Sequence, residues 1–499
     1  MSAGRRGALL VVALAALAGS SAIAAQDARG WVVVNEDNDH YFKCEKTNDH
    51  WPVAGGDAQM TVPALEAYAD LITASGKVTH VFWCVCGGRP NFDGTAWEPI
   101  WYSLTQKGAD FTVIDAGSRT WPENALLLHQ RGIDPYKVWI ARCRKNGAQA
   151  WISMRMNDVH HLWRDKYFRN TVFCDSHPEM NVSRDKRAQW ERASMDYSFP
   201  EVRDHHMRMF KDLVDRYDAD GIEMDFCRSG TYFPEGKGLA QTPVMTAFIR
   251  EACAYAHAKR GKGYRVAIRM LPEPEKARAK GFDVATLAKE GSVDVVIPCL
   301  QSPAGAGFTI DFAAWKRVLA DAPKTVLVGG TTTTFGGPYH NPASLAGWSA
   351  AMRADGWENL YLFNYAYMDR PTREAGYFGD ALYTKVGDAV PQAFVFFQGN
   401  RWSPVRLDRD RGWTMSLPKG IKARKAVRVV CSVGGGAAPT DVTLNGVAST
   451  GCTEKLQGAD RTCVYAFPLE TVREGVNTLG FRQMKSPAPV LKYAALETE

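Results

Sequence analysis

Short apolar runs alternate with longer stretches of helical periodicity along most of this chain. Eight of the runs have strand length: 31–35, 80–86, 150–156, 221–227, 265–271, 293–300, 325–330 and 360–365. Helical patterns lie between them, clearest at 135–146, 202–217, 243–259, 285–289 and 342–354. Strands alternating with helices predict βαβ units and a parallel sheet. Eight such units over roughly 350 residues predict a (β/α)8 TIM barrel with insertions. An open doubly wound sheet would carry a Gly-rich phosphate turn after its first strand. Asn35-Glu36-Asp37-Asn38-Asp39 stands there instead.

Near residue 390 the pattern changes. Short alternating runs at 426–433, 441–444, 463–467 and 478–482 follow without helices between them. Gly434-Gly435-Gly436 and Asn445-Gly446 punctuate them as turns. This predicts a β-sandwich over residues 390–499. Nothing in it specifies a ligand, so bracing of the barrel is the expected role. At the other end, Arg5 and Arg6 precede an apolar run at 8–18 and a small-residue stretch at 22–26. That order is the one of a secretory signal peptide, placed at residues 1–25. The run is too short to span a bilayer. The expected organisation is therefore a signal peptide, a barrel over 26–389 and the sandwich. The mature protein is expected to be periplasmic or secreted, with no membrane anchor after cleavage.

Composition adds limits. Hydrophobic residues make up 45% of the 499 and charged residues 23%, a balance suited to a large soluble core. The net charge of +6 comes from scattered Lys and Arg. No helix interleaves basic and aromatic residues, so nucleic acid is not an expected partner. A carbohydrate partner, including an anionic one, is compatible with that charge. Of the eleven Cys, Cys452 and Cys463 are the first candidate disulfide pair. Cys84, Cys143, Cys227, Cys253 and Cys299 sit in apolar runs and are expected as buried thiols. There is no C-x-x-C pair to suggest a zinc knuckle.

Catalytic groups of a TIM barrel sit at the C-terminal ends of its strands. The fourth run carries the sharpest signal there, Gly221-Ile222-Glu223-Met224-Asp225-Phe226. Side chains alternate across a strand. If Ile222, Met224 and Phe226 face the helices, Glu223 and Asp225 point into the barrel. Two inward carboxylates are costly unless paired or functional. The same parity places Arg155 and Asn157 inward on the third strand and Arg269 inward on the fifth. A nearby cation favours the charged form of a carboxyl group. Extending the fifth strand through Pro272 points Glu273 inward as a second carboxylate, with Glu223 and Glu275 as alternatives. Hydrolysis of a glycosidic bond uses such a pair, one group as acid and the other as nucleophile or base.

Other strand ends supply polar groups that could meet hydroxyls. They are Glu36, Asp37 and Asp39 after the first strand, Arg89 after the second, and Asp158 after the third. Gln301 follows the sixth, His340 lies in the loop after the seventh, and Asn364 closes the eighth. Asn157, Asp158, His160 and His161 could be taken for metal ligands, but adjacent histidines after a strand point different ways. No metal and no cofactor is expected. The absence of a G-x-S-x-G elbow weighs against an esterase.

Three segments carry a family resemblance. Gly132-Ile133-Asp134-Pro135-Tyr136-Lys137-Val138, Met154-Arg155-Met156-Asn157-Asp158-Val159-His160 and Tyr217-Asp218-Ala219-Asp220-Gly221-Ile222-Glu223-Met224-Asp225-Phe226 resemble the glycosyl-hydrolase-like family 10 proteins. These are exported (β/α)8-barrel proteins of bacterial polysaccharide metabolism. The likeness spans roughly residues 31 to 369. The Asp225 segment is also similar to barrel α-glycosidases whose nucleophile is an Asp ending the fourth strand. That resemblance implies Asp225 as nucleophile and Glu273 as acid/base.

The resulting expectation is a glycoside hydrolase acting on an extracellular poly- or oligosaccharide. Glu223, Arg155, Asn157, Asp158, Arg269, Glu36, Gln301, His340 and Asn364 would contact substrate or tune the carboxylates. Two other classes stay open: a non-catalytic glycan-binding barrel, and a metal-dependent hydrolase or deacetylase.

Overall fold

The computed structural model describes residues 30–37, 39–43, 60–73, 75–111, 119–160, 164–183, 185, 192–227, 230–300, 310–332, 342–363, 392–398, 405–417, 426–484 and 488–498. The signal-peptide expectation, together with His161, Gln301, His340 and Asn364, lies outside these residues.

Eight parallel strands form a closed barrel: β1 (Val32–Glu36), β2 (His80–Cys84), β3 (Gln149–Arg155), β4 (Gly221–Asp225), β5 (Arg265–Met270), β6 (Val295–Leu300), β7 (Val326–Thr332) and β8 (Asn359–Phe363). The barrel closes where β1 pairs with both β2 and β8. Every strand lies within two residues of its predicted place. The reason is that the strands are buried on both faces and read as nearly unbroken apolar runs.

The helices carry standard start and stop signals. Asp134 caps the helix Pro135–Lys145 by accepting from the Tyr136 and Lys137 amides. Pro135 occupies the first helical position, and Arg142, Arg144 and Lys145 sit at the negative C-terminal end. Pro200–Arg216 buries Val202, Met209, Phe210, Leu213 and Val214 toward the barrel. Thr242–Arg260 stops at Gly261, whose φ of 84° suits a residue without a side chain.

The barrel interior has a floor of rings at the N-terminal ends of the strands. Trp31 stacks on His80 at 3.9 Å between centroids, and Phe82 lies flat on Trp151 at 4.7 Å. Gly221 makes this possible. A Cβ there would stand 2.6 Å from the Trp151 ring and 2.7 Å from the Arg265 carbonyl oxygen.

The C-terminal part is a β-sandwich. One sheet runs β10 (Val405–Arg406), β18 (Val490–Thr498), β12 (Val427–Gly434), β16 (Asp460–Phe467), β15 (Gly451–Gln457), with β9 (Gln392–Gln398) also pairing β18. The other runs β11 (Arg411–Leu417), β17 (Gly475–Phe481), β13 (Val442–Leu444), β14 (Val447–Ala448). Asn445 (φ 53°) and Gly446 (φ 82°) make the two-residue turn between β13 and β14, as the Asn-Gly signal predicts. Cys431, Cys452 and Cys463 are free thiols here. Cys463 stands opposite Cys431 and Cys452 opposite Tyr465, so the expected Cys452–Cys463 pair is not directly cross-strand.

The helix Pro342–Ala354 packs against β9. A Cβ on Gly347 would lie 2.2 Å from the Ala393 carbonyl oxygen, and Ala351 of this helix joins the apolar core of the sandwich. Among the described residues, no helix is long and apolar enough to cross a membrane.

Candidate active site

The alternation expected for β4 is present. Ile222, Met224 and Phe226 pack in the apolar layer between strands and helices, whereas Glu223 and Asp225 are fully buried inside the barrel. Strand register sets the neighbours of each carboxylate. Arg155 on β3, Asp225 and Arg269 on β5 stand side by side on one rung. Ser153, Glu223 and Ala267 form the rung below.

Asp225 is tied at both oxygens. Arg269 Nη1 donates to Oδ2 at 2.8 Å, and the Cys227 amide donates to Oδ1 at 2.9 Å. The Arg269 guanidinium also lies 3.7 Å from the Phe363 ring centroid, a cation–π contact. Cys299 on β6 is the next group round. Burial pushes its thiol up, but a hydrogen bond from Cys227 and the charge of Arg269 outweigh that and bring it down to about 7.

Glu223 is in a different position. Ser153 Oγ and Asn35 Nδ2, the latter at 3.2 Å, donate to its Oε2. Burial first, and the neighbouring charge of Asp225 second, push its carboxyl up to about 8.

Arg155 bridges two other carboxylates. Nη2 donates to Asp37 and Nη1 to Asp158 at 2.8 Å. Asp158 also accepts from Arg169 at 2.8 Å and bonds the His160 ring at 2.6 Å. Burial alone would raise this carboxyl. Arg169, His160 and Arg155 together hold it well below the usual carboxylate range.

Several expected substrate contacts are placed elsewhere. Asn157 does not face the barrel. Its amide donates to the Met195 and Thr231 carbonyls and accepts from the Met195 amide, clamping two loops. Parity ceases to apply there because β3 ends at Arg155. Glu36 shares the outward face of Val32 and Val34, and its Oε1 accepts from Tyr68 and His40 on the helix side. Asn35 takes an inward position of β1, and Asp37, just past the strand, meets Arg155. Glu273 also departs from parity, because β5 ends at Met270 and the chain turns. Glu273 becomes the residue before the helix Pro274–Ala279, 42% exposed, with Lys276 Nζ at 2.8 Å. Glu275 lines a groove among the outer helices, with Arg278, Phe282 and Trp315.

Asn35, Ser153, Cys299, Tyr361 and Phe363 also belong to the site but were not singled out from sequence. The same alternation that found Asp225 would have found them on β1, β3, β6 and β8.

The metal-ligand possibility at residues 157–161 is not assembled among the described residues, since Asp158 binds two arginines and Asn157 holds backbone. Asp37, Asp39 and His40 do bring ligand atoms within 4.8 Å of one another. Their charge is already matched: Arg155 holds Asp37, and Lys43 Nζ lies 2.7 Å from Asp39. That set reads as an ion-pair network at the mouth of the barrel.

No family model matches the chain, and no curated protein matches it. Solved structures it resembles include a mannanase, a fucosidase and a chitinase. The endo-beta-1,4-mannanase from Thermotoga petrophila matches 93% of this chain and 97% of its own, at 11% identity and a TM-score of 0.43. Alpha-L-fucosidase isoenzyme 2 from Paenibacillus thiaminolyticus matches 71% of this chain at 13% identity and a TM-score of 0.43. The chitinase ChiW from Paenibacillus sp. matches 93% at 12% identity and a TM-score of 0.41. This chain spans about half the length of the latter two, 49% and 52%.

Proposed function

We propose that this protein is a glycoside hydrolase acting on an extracellular poly- or oligosaccharide, with Asp225 as nucleophile or general base and Glu273 as proton donor. One observation carries the reading: Asp225 points into the barrel at the C-terminal end of β4, between two arginines in register. In this fold that is where chemistry is done. Ion pairing with Arg269 suits a carboxylate that must act as an anion. Glu273 follows the neighbouring strand and pairs with an exposed Lys276, a contact worth about 0–1 kcal/mol. Binding of a substrate would reorient it at little cost. Arg155 Nε, Arg269 Nε and Asn35 Oδ1, buried and without a hydrogen-bond partner among the described residues, lie in the same region and suit a polyhydroxylated ligand.

A second reading has its own support. Both Asp225 oxygens are engaged, and Glu273 is turned to Lys276. A barrel that binds glycan without cleaving it would look the same.

A panel of polysaccharides, sulfated and uronate-rich ones included, separates the two. Asp225→Asn is expected to abolish turnover while circular dichroism shows a folded barrel. Glu273→Gln is expected to lose turnover on natural glycans yet cleave nitrophenyl glycosides, whose leaving group departs without a proton. Wild-type binding without cleavage of any glycan supports the binding protein instead. Near-normal turnover by Asp225→Asn sinks the hydrolase reading as stated.

A further inference from the structure

Glu223 is the buried carboxyl for which the two-carboxylate scheme has no use. It lies one rung below Asp225 and shares its face of β4. Its donors, Ser153 and Asn35, are neutral. The cation of that layer, Arg269, is bound to Asp225 instead. The Tyr361 hydroxyl, which faces it from β8, is neutral as well. Two buried carboxyls on one face of a strand, with the guanidinium bound to only one of them, do not both keep their charge in a dry interior.

We propose that Glu223 is a positioning residue that stays a neutral carboxylic acid, leaving the charge of the carboxyl pair on Asp225. Among the described residues no cation is bound to Glu223, so the carboxyl keeps its proton. Burial and the Asp225 charge both favour it, and they place its loss near pH 8. The groups that face Glu223 are Asp225 on its own strand, Arg269 from β5, Tyr361 from β8, Ser153 from β3 and Asn35 from β1. Deprotonation would set a second anion beneath Asp225, and the two would then compete for Arg269. The site thus carries an alkaline limit set from below, by a group that touches no substrate.

The consequence for stability has a definite sign. An unfolded glutamate releases its proton near 4.5, and this one holds it to about 8. Across that window the folded state binds one more proton than the unfolded state. Its contribution to stability therefore falls as pH rises from 4.5 and levels off above about 8.

The test compares the full-length wild type with Glu223→Gln, an uncharged mimic of the protonated acid. The melting temperature of the variant relative to wild type should rise with pH across the window. Infrared difference spectra at neutral pH should show a protonated carboxyl band in the wild type, lost in the variant and lost in the wild type with a midpoint near pH 8. Parallel melting curves, or no band that titrates near that midpoint, overturn the proposal. Should Glu223→Gln fail to fold, the wild-type infrared titration decides alone. A third arm rests on the hydrolase reading. Wild-type turnover should drop about tenfold per pH unit above that midpoint, and the variant should lack the drop. An inactive wild type sinks that reading only, because the first two arms need no substrate. A limb that persists in the variant counts against Glu223.

Discussion

Trp31, His80, Phe82 and Trp151 close the floor of the barrel with stacked rings, whereas the mouth is filled with charge. At the mouth, Arg155 joins Asp37 to Asp158 and Arg269 holds Asp225. The floor is an apolar packing problem solved by shape. At the mouth, Asn35, Arg155, Glu223, Arg269 and Tyr361 each keep a buried polar atom without a partner among the described residues. Buried polar atoms nearly always find partners. Among the described residues, these five gather in one region. One end of the barrel is thus a floor of packed rings, and the other is where the proposed chemistry lies.

Substitutions at the two ends should separate these roles. The largest effect is expected from Asp225→Asn at the mouth, a loss of about a thousandfold or more in kcat. Trp151→Ala at the floor should cost about 3–5 kcal/mol in urea unfolding, with kcat little changed where the variant is folded. Loss of turnover in a folded Trp151→Ala protein would break the division. Gly221→Ala comes next. Its new Cβ meets the Trp151 ring and the Arg265 carbonyl, neither of which can yield easily. A cost of about 1–3 kcal/mol is expected, read as a lower urea midpoint with an unchanged slope. The smallest effect belongs to Lys276→Ala at the rim, below about 1 kcal/mol. A larger penalty would mean that Glu273 is anchored, which its proposed role as a mobile proton donor does not allow.

The barrel was legible because β1 to β8 are buried on both sides and announce themselves as apolar runs. The sandwich was half legible. β12, β13, β16 and β17 alternate visibly, but β15 is an edge strand of sequence Gly-Cys-Thr-Glu-Lys-Leu-Gln with almost no apolar signal. In the site, Glu223, Asp225, Arg155 and Arg269 were readable for one reason: all four lie inside hydrogen-bonded ladders, where alternation is a geometric rule. Glu273 and Asn157 lie past the last ladder bond, where the rule has no force. Glu36 lies within its ladder but on the helix-facing side, a parity that its position at the strand end concealed. Which arginine pairs with Asp225 could not be read at all. Arg269 bonds Asp225 while Arg155 bonds Asp37 and Asp158, a choice settled only in three dimensions.

The contact between Gly347 and the Ala393 carbonyl has a bearing on ancestry and engineering. A helix that touches a strand backbone with no side chain between them cannot accept a foreign neighbour without a matching groove. The C-terminal sandwich is therefore not a cassette to be exchanged among barrels of this kind. A graft that begins after β9 keeps the native seam, while one that begins before it must bring its own strand to fit the glycine.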